Sequence, residues 1–325
     1  MMISVIIPAR NEQQVLPGLL SSLAAQTYSN REVIVADDCS DDRTSELAEQ
    51  AGARVVRLER PGGPAAARNA GAAVAQGELL LFLDADTQAP PDLLERFARA
   101  FGVPRPPTAL VGRYHHQPLN PGWFPRYKAR LTELWFGDRM LCDSFETNLG
   151  AIGRETFEAL GGFDERFLGA DVEDYEFGDR VWQVGPIVMD PGLQVRHHFP
   201  GFWRNARNFY SRSRMWVQLR LSGRRRFDRS AATPWDAIAS LLSLAVLLWP
   251  LGLLLVDPAI WWRIMLLLLI GFLTGNRRLL IHMLRSEGIF FTLAAVPATI
   301  VQQSAAACGA LVGVLRSLLG PVDSE

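Results

Sequence analysis

The stretch "ELLLFLDADT", residues 78–87, decides how this chain is read. Its apolar run, Leu79–Leu83, predicts a short strand buried on both faces, as strands inside parallel sheets are. Two aspartates follow, Asp84 and Asp86, with one alanine between them. In extended backbone, residues i and i+2 point the same way, so the two carboxylates address one point in space. Like charges at the end of a core strand repel. They are tolerated either in water or around a cation, and hard divalent cations take carboxylate oxygens together with phosphate oxygens.

The sequence on either side of this stretch separates the two readings. Upstream, strands are predicted at 3–7, 32–36 and 54–58. A helix is predicted over 13–26, where Val15, Leu16, Leu19, Leu20 and Leu23 recur at helical spacing. A second helix follows at 44–51. The glycine- and proline-rich "RPGGPAAARNAG" leads into a third that ends near Gly77. Alternation of this kind predicts an α/β fold with a mostly parallel, Rossmann-like sheet and ligands at the carboxyl ends of its strands. Those ends carry "PARNE" (8–12), Asp37-Asp38, Gly62-Gly63 with Arg68-Asn69, and Asp84 with Asp86. Each has a plain reading as a cap, a turn or a solvated face, but the four together mark one crevice. No G-x-G-x-x-G follows the first strand and no G-x-x-x-x-G-K-[ST] occurs, so neither a dinucleotide fingerprint nor a P-loop is supported.

Taken in order, "SVIIPARNE", "VIVADDCSDDRT", "GPAAARNAG" and "LLLFLDADT" resemble the family 2 glycosyltransferases with a GT-A fold, over roughly residues 3–215. The resemblance implies inverting, metal-dependent transfer of a single sugar from a nucleotide-diphospho-sugar, with UDP-sugars favoured. It makes Asp86 the main ligand of Mg²⁺ or Mn²⁺ and puts Asp84 near the metal and the donor sugar or ribose. It assigns Pro8, Ala9, Arg10 and Glu12 to the floor of the nucleotide site. Asp38 reads the base, Asp37 shares that task, and Arg68 pairs with the base or the diphosphate. Farther on, "ADVEDYEFGDRVWQVG" contains the pair Glu173-Asp174. The resemblance makes Asp174 the base that takes the acceptor hydroxyl's proton, with Glu173 as support. The competing reading is a solvated acidic helix face built from Asp171, Glu173, Asp174, Glu176 and Asp179. His197, in "DPGLQVRHHF", falls where relatives place a metal-contacting histidine, and His198 is the adjacent option.

Composition shifts near residue 230, which divides the chain into a catalytic domain over 1–230 and a membrane domain over 231–325. Residues 237–256 carry no charge and are long enough to span a bilayer, which takes about 20 apolar residues. Segments 259–275 and 289–315 are the second and third candidates, so two to three transmembrane helices are expected. Pro250 predicts a kink in the first. Arginines precede the first span (Arg220, Arg224, Arg225, Arg226, Arg229) and separate the second from the third (Arg277, Arg278, Arg285). The positive-inside rule therefore orients the catalytic domain to the cytoplasm at the cell membrane.

Segment 196–229 is rich in arginine, with Asp228 its one acid, and is interleaved with Phe202-Trp203, Phe209-Tyr210 and Trp216-Val217. A basic helix with an aromatic face reads as interfacial. Together with the resemblance this implies a lipid acceptor: a polyprenyl phosphate, a glycolipid, a sterol-like lipid or a glycerol lipid. The alternatives are a non-catalytic nucleotide-sugar sensor or scaffold, a polysaccharide or other non-lipid acceptor, and a transporter component. A formal net charge of -1 argues against nucleic acid as a partner. Cys39, Cys142 and Cys308 are odd in number and scattered, which fits a reducing compartment. "MMISVIIPARNE" has no basic n-region, which predicts no secretory signal.

Overall fold

A computed structural model describes residues 1–137, 140–142, 144–167, 169, 172–221, 234–254 and 257–319. Asp171, Arg224, Arg225, Arg226, Asp228, Arg229 and Val256, which bear on the readings above, lie outside the described residues. The chain forms two compact units, Met1–Phe199 and Pro200–Glu325.

In the first unit the elements are β1 (Ile3–Ala9), α1 (Leu16–Ala24), β2 (Arg31–Asp37), α2 (Thr44–Gln50), β3 (Arg54–Arg57) and α3 (Gly63–Ala73). Next come β4 (Leu79–Leu83), β5 (Thr87–Gln88), α4 (Leu93–Phe101), β6 (Ala109–Tyr114) and α5 (Trp123–Phe136). The last are β7 (Leu141–Cys142), β8 (Leu149–Gly153), α6 (Arg154–Ala159), α7 (Glu173–Val184) and β9 (Ile187–His197). The strands lie in the order β3-β2-β1-β4-β8-β6-β9-β5, with β7 also on β9. The first four are parallel; β8 runs antiparallel to both β4 and β6.

Every residue of β4 is buried, which is why its sequence is an unbroken apolar run and does not alternate. Leucines of α1 and α4 cover one face of the sheet, with Leu16, Leu19, Leu93 and Phe97 fully buried. The other face rests on an aromatic cluster: Phe82 of β4 lies 5.8 Å from Phe145, 5.4 Å from Phe157 and 5.3 Å from Phe163. Phe177 of α7 joins that cluster, 4.6 Å from Phe163. The strand that delivers Asp84 is thereby packed against the helix that begins at Glu173. β1 runs two residues beyond the predicted strand, so Pro8 and Ala9 lie in the sheet, opposite Ala36 and Asp37 of β2. The ladder between β1 and β4 ends at Ile6, so the missing N–H of Pro8 costs nothing there.

The second unit holds α8 (Phe202–Leu221), α9 (Pro234–Leu248), a 3-10 segment (Trp249–Leu254), α10 (Pro258–Gly275), α11 (Arg277–Glu287) and α12 (Ile289–Leu319). Among the described residues three stretches are long and apolar enough to cross a membrane: Trp235–Gly252, Pro258–Gly275 and Ile289–Leu319. At Pro250, where a kink is predicted, the helix tightens into the 3-10 segment. The expected boundary near residue 230 differs from the observed division because α8 packs along α12. The Nδ2 of Asn205 donates to Gln302 Oε1 at 2.8 Å, and Gln302 Nε2 donates to the carbonyl of Phe202 at 3.1 Å. A Cβ on Gly313 would lie 2.6 Å from the carbonyl oxygen of Arg214, and one on Gly309 would overlap that of Tyr210. Gly309 and Gly313 thus let two backbones touch, as small residues four apart do between helices. A second polar set ties α9, α10 and α12: Gln303 accepts from Ser243 Oγ at 2.6 Å and donates to Asn276 Oδ1 at 2.7 Å.

Gly309→Leu is expected to destabilise the helical unit by about 1–3 kcal/mol through overpacking. Gly18→Ala in α1, where nothing lies within 4 Å, is expected to be neutral or to stabilise by up to about 1 kcal/mol. Thermal unfolding of the detergent-solubilised chain measures both.

Candidate active site

The carboxyl ends of β1, β2 and β4 carry residues that the sequence marked. The loops after β1 and β2 interlock first. Asn11 and Cys39 both adopt left-handed backbone, with φ 57° and 58°. The N–H of Asn11 donates to Ser40 Oγ at 2.9 Å, and the N–H of Asp41 returns a bond to Asn11 Oδ1 at 2.8 Å. The Glu12 N–H donates to Thr44 Oγ1 at 2.8 Å, which holds the loop after β1 at the start of α2.

Asp37 is fully buried. It accepts from the Ser40 N–H at 2.9 Å and from the Ser45 hydroxyl, and Arg57 stands 3.8 Å away. That is the environment of a turn cap, and it leaves no exposed surface for a base. Asp38 faces the glycine loop. Its carboxylate accepts from the N–H of Gly62 at 2.6 Å and of Gly63 at 3.1 Å, with Arg10 3.6 Å away. Gly63 needs its glycine for a φ of 81°. Each Asp38 oxygen keeps a second acceptor direction for a ligand N–H.

Arg68 is engaged on both sides by protein carboxylates. It is 3% exposed and lies between two carboxylates. One guanidinium nitrogen is 3.1 Å from Asp84 Oδ1 and the other 3.0 Å from Glu173 Oε1. Burial alone would lower its pKa; the charges of Asp84 and Glu173 outweigh that and hold it above its ordinary value. Its Nε is buried without a partner. The arginine predicted to contact base or diphosphate therefore joins the first acid of the D-x-D to the first residue of α7. Asp174 follows directly in the first helical turn. The carbonyl of Asp174 accepts from the Phe145 N–H at 3.1 Å, and its Oδ1 accepts from the Tyr175 N–H at 2.8 Å. Of the acids after Asp174, Glu176 is paired with Arg180 at 2.6 Å.

Asp86 is met by His197. Thr87 pairs with His197 across the β5–β9 ladder, the N–H of His198 donates to the Asp86 carbonyl at 2.9 Å, and His197 Nε2 lies 3.1 Å from Asp86 Oδ2. The Nδ1 of His197 is buried without a hydrogen-bond partner. Among the described residues no group of three His, Cys, Asp or Glu side chains converges as a complete metal cage. One carboxylate and one imidazole nonetheless suit a Mg²⁺- or Mn²⁺-type ion that takes its remaining positions from phosphate and water. Asp84 is less open to such an ion, because Arg68 holds its Oδ1 and the Tyr114 hydroxyl lies 3.4 Å from its Oδ2.

Two residues here escaped the sequence reading. Tyr114, at the end of β6, reaches Asp84 and packs on the His197 ring with centroids 4.2 Å apart. Asn148 stands one step beyond the Leu83–Leu149 pair, across the ladder from Asp84, buried and with its Nδ2 unpartnered. "GRYHH" and "ETN" carry no spacing signal; only the ladders place these side chains.

Comparison with known proteins bears on the same region: residues 4–153 match the family described as "Glycosyl transferase family 2". Over that stretch, a little under half of its length, the chain is similar to family 2 glycosyltransferases. An uncharacterized glycosyltransferase of Haemophilus influenzae is 32% identical over 190 residues, 54% of this chain and 60% of that protein. The undecaprenyl-phosphate 4-deoxy-4-formamido-L-arabinose transferase of Aeromonas hydrophila is 42% identical over 108 residues, 30% of this chain and 33% of that protein. Each alignment thus spans less than two thirds of the relative. Among solved structures, the mannosyltransferase PcManGT of Pyrobaculum calidifontis, in complex with GDP-Man and Mn²⁺, superposes with a TM-score of 0.58 at 18% identity. That match covers 97% of this chain and 86% of the other, and it bears on the fold.

Arg68→Met leaves Asp84 and Glu173 without their buried counter-charge and is expected to cost about 3–5 kcal/mol. The double variant Arg68→Met with Glu173→Gln is expected to be less destabilised than Arg68→Met alone, because one stranded charge is removed. Chemical denaturation of the three variants checks the sign of this coupling.

Proposed function

We propose that this protein transfers a single sugar from a nucleotide-diphospho-sugar to a lipid acceptor in the membrane, with inversion. The observation that carries the proposal is the joining, in one chain, of a family 2 glycosyltransferase domain to three helices long and apolar enough to cross a bilayer. The name of the Aeromonas relative, a transferase acting with undecaprenyl phosphate, supports a lipid acceptor. The arginine-rich α8 supports an approach to anionic headgroups.

In this reading Pro8, Ala9, Arg10 and Glu12 floor the nucleotide site, and Asp38 accepts a ring N–H of the base while it fastens the Gly62-Gly63 loop. Asp86 and His197 would hold Mg²⁺ or Mn²⁺, which when bound offsets the charge developing on the departing diphosphate. Asp84 is held toward the donor by Arg68 and Tyr114. Asp174 takes the proton of an acceptor hydroxyl as that oxygen attacks the anomeric carbon. Arg68, through Glu173, sets where Asp174 stands relative to Asp84. An acceptor phosphate is already ionised, and for such an acceptor Asp174 orients the nucleophile and removes no proton. The catalytic domain faces the cytoplasm, where nucleotide sugars are made.

The chain in lipid nanodiscs is expected to release nucleoside diphosphate only when given one donor, Mg²⁺ or Mn²⁺, and a lipid extract together. Release without lipid would move the acceptor to a soluble molecule or to water. Donor binding with no release under any combination would favour a sensor. Asp174→Asn is expected to lower turnover about 10²–10⁴-fold for a hydroxyl acceptor while donor affinity stays within about threefold, read by calorimetric titration. Asp86→Asn is expected to weaken donor binding in the presence of metal.

A further inference from the structure

By length and composition α12 is long and apolar enough to be a third membrane span. Its packing contradicts that placement. From Gln302 onward α12 runs side by side with α8 and in the same direction: Asn205 meets Gln302, Tyr210 meets Gly309, and Arg214 and Val217 meet Gly313. Whatever depth this half of α12 occupies, α8 shares it. Yet α8 carries Arg204, Arg207, Arg212, Arg214 and Arg220 and no acid, and all but Arg214 are exposed. Arginines in hydrocarbon face a protein interior or a water-filled cavity and do not lie on an outer surface. The half of α12 before Gln302, residues 289–301, is about 20 Å long at roughly 1.5 Å per residue, short of a hydrocarbon core of about 30 Å. Neither half can complete a crossing.

The paired half still has an apolar face. Leu315, Leu318 and Leu319 are 58%, 76% and 87% exposed, and Leu311 falls on the same stripe. Trp203 on α8 is 75% exposed. Arg285 in the last turn of α11 and Arg316 in the last turn of α12 flank the helix at both ends, so charge gives α12 no direction in which to cross.

We infer that α8 and the C-terminal half of α12 form a two-helix platform lying in the membrane interface. The leucine stripe of α12 enters the acyl boundary and the arginines of α8 sit at the level of lipid phosphates. The partner is the anionic lipid surface itself, on the side from which α9 enters. The α9–α10 hairpin alone crosses, and the end of α12 returns to the side from which α9 enters. This rests on the membrane reading of the apolar helices but not on the transfer reaction.

The test uses the full chain in sealed vesicles, with Cys39, Cys142 and Cys308 replaced by serine and one cysteine introduced at Arg316, at Leu318 or at Asp257, the turn between α9 and α10. A membrane-impermeant maleimide is expected to label Arg316→Cys, off the leucine stripe, from the side on which an antibody reaches the catalytic unit, and Asp257→Cys from the opposite side. A nitroxide on Leu318→Cys is expected to collide with dissolved oxygen more than with a water-soluble nickel complex in vesicles containing phosphatidylglycerol. Labelling of Arg316→Cys from the side opposite the catalytic unit overturns the inference, and so does a Leu318→Cys nitroxide dominated by nickel collisions. Labelling of Asp257→Cys from the catalytic side would instead remove the crossing hairpin, and the membrane reading with it. Should the cysteine-free chain fail to fold, a C-terminal fluorescent or phosphatase fusion on the natural sequence reads the same sidedness: cytoplasmic fluorescence is expected, and phosphatase activity overturns the inference.

Discussion

The catalytic unit is organised around one buried cation. Arg68 comes from α3, Asp84 from the end of β4 and Glu173 from the start of α7, and these segments are distant in the chain. A guanidinium is planar and always charged, so it can serve two carboxylates in fixed directions at once. Taking three charged groups out of water is costly, and the cost is met only when each finds its partner. The packing around the triad supplies that condition. Phe82, Phe163 and Phe177 hold β4 against α7, and Arg68 lies 5.7 Å from the Phe163 ring centroid. The end of β4 and the start of α7 are therefore not independent, because a shift in α7 strains the same arginine that holds Asp84.

The two acids of the D-x-D divide their work. Their spacing aims both at one point, as the pattern requires, but their neighbours differ. Asp84 is engaged by protein groups, a cation and a phenol. Asp86 faces an imidazole whose far nitrogen lacks a partner. The carboxylate without a cationic partner among the described residues is the one suited to an exchangeable ion, while the other is held by Arg68. His197 reaches Asp86 only because β9 is long enough to pair with β6 along its first part and with β5 at its end.

The helical unit follows a different physics. Its helices associate through small residues and amide pairs: glycines at 309 and 313, Asn205 with Gln302, and Gln303 with Ser243 and Asn276. Where the surroundings are apolar, hydrophobic burial gives little preference for one helix partner over another, and close backbone approach and hydrogen bonds decide it. Hydropathy ranks helices by composition and cannot detect such pairing. It therefore assigns α12 a span on the same grounds as α10, although α12 is committed to a basic neighbour.

The sequence alone determined the alternating α/β order, β4 to the residue, the strand ends where the acids gather, and the likeness to family 2 glycosyltransferases. These follow from local patterns, apolar period and turn residues, which the chain carries wherever it folds. It also singled out the acids that gather at the strand ends, since four motifs in order are far more specific than any one of them. Only the tertiary structure decided what each residue does there. Asp37 caps a turn because β2 buries it, Arg68 bridges two acids because α3 and α7 meet across β4, and Tyr114 and Asn148 enter the site through strand pairing. Pairing partners distant in sequence leave no periodic trace, so contact identity, unlike element identity, has to be read from the folded chain.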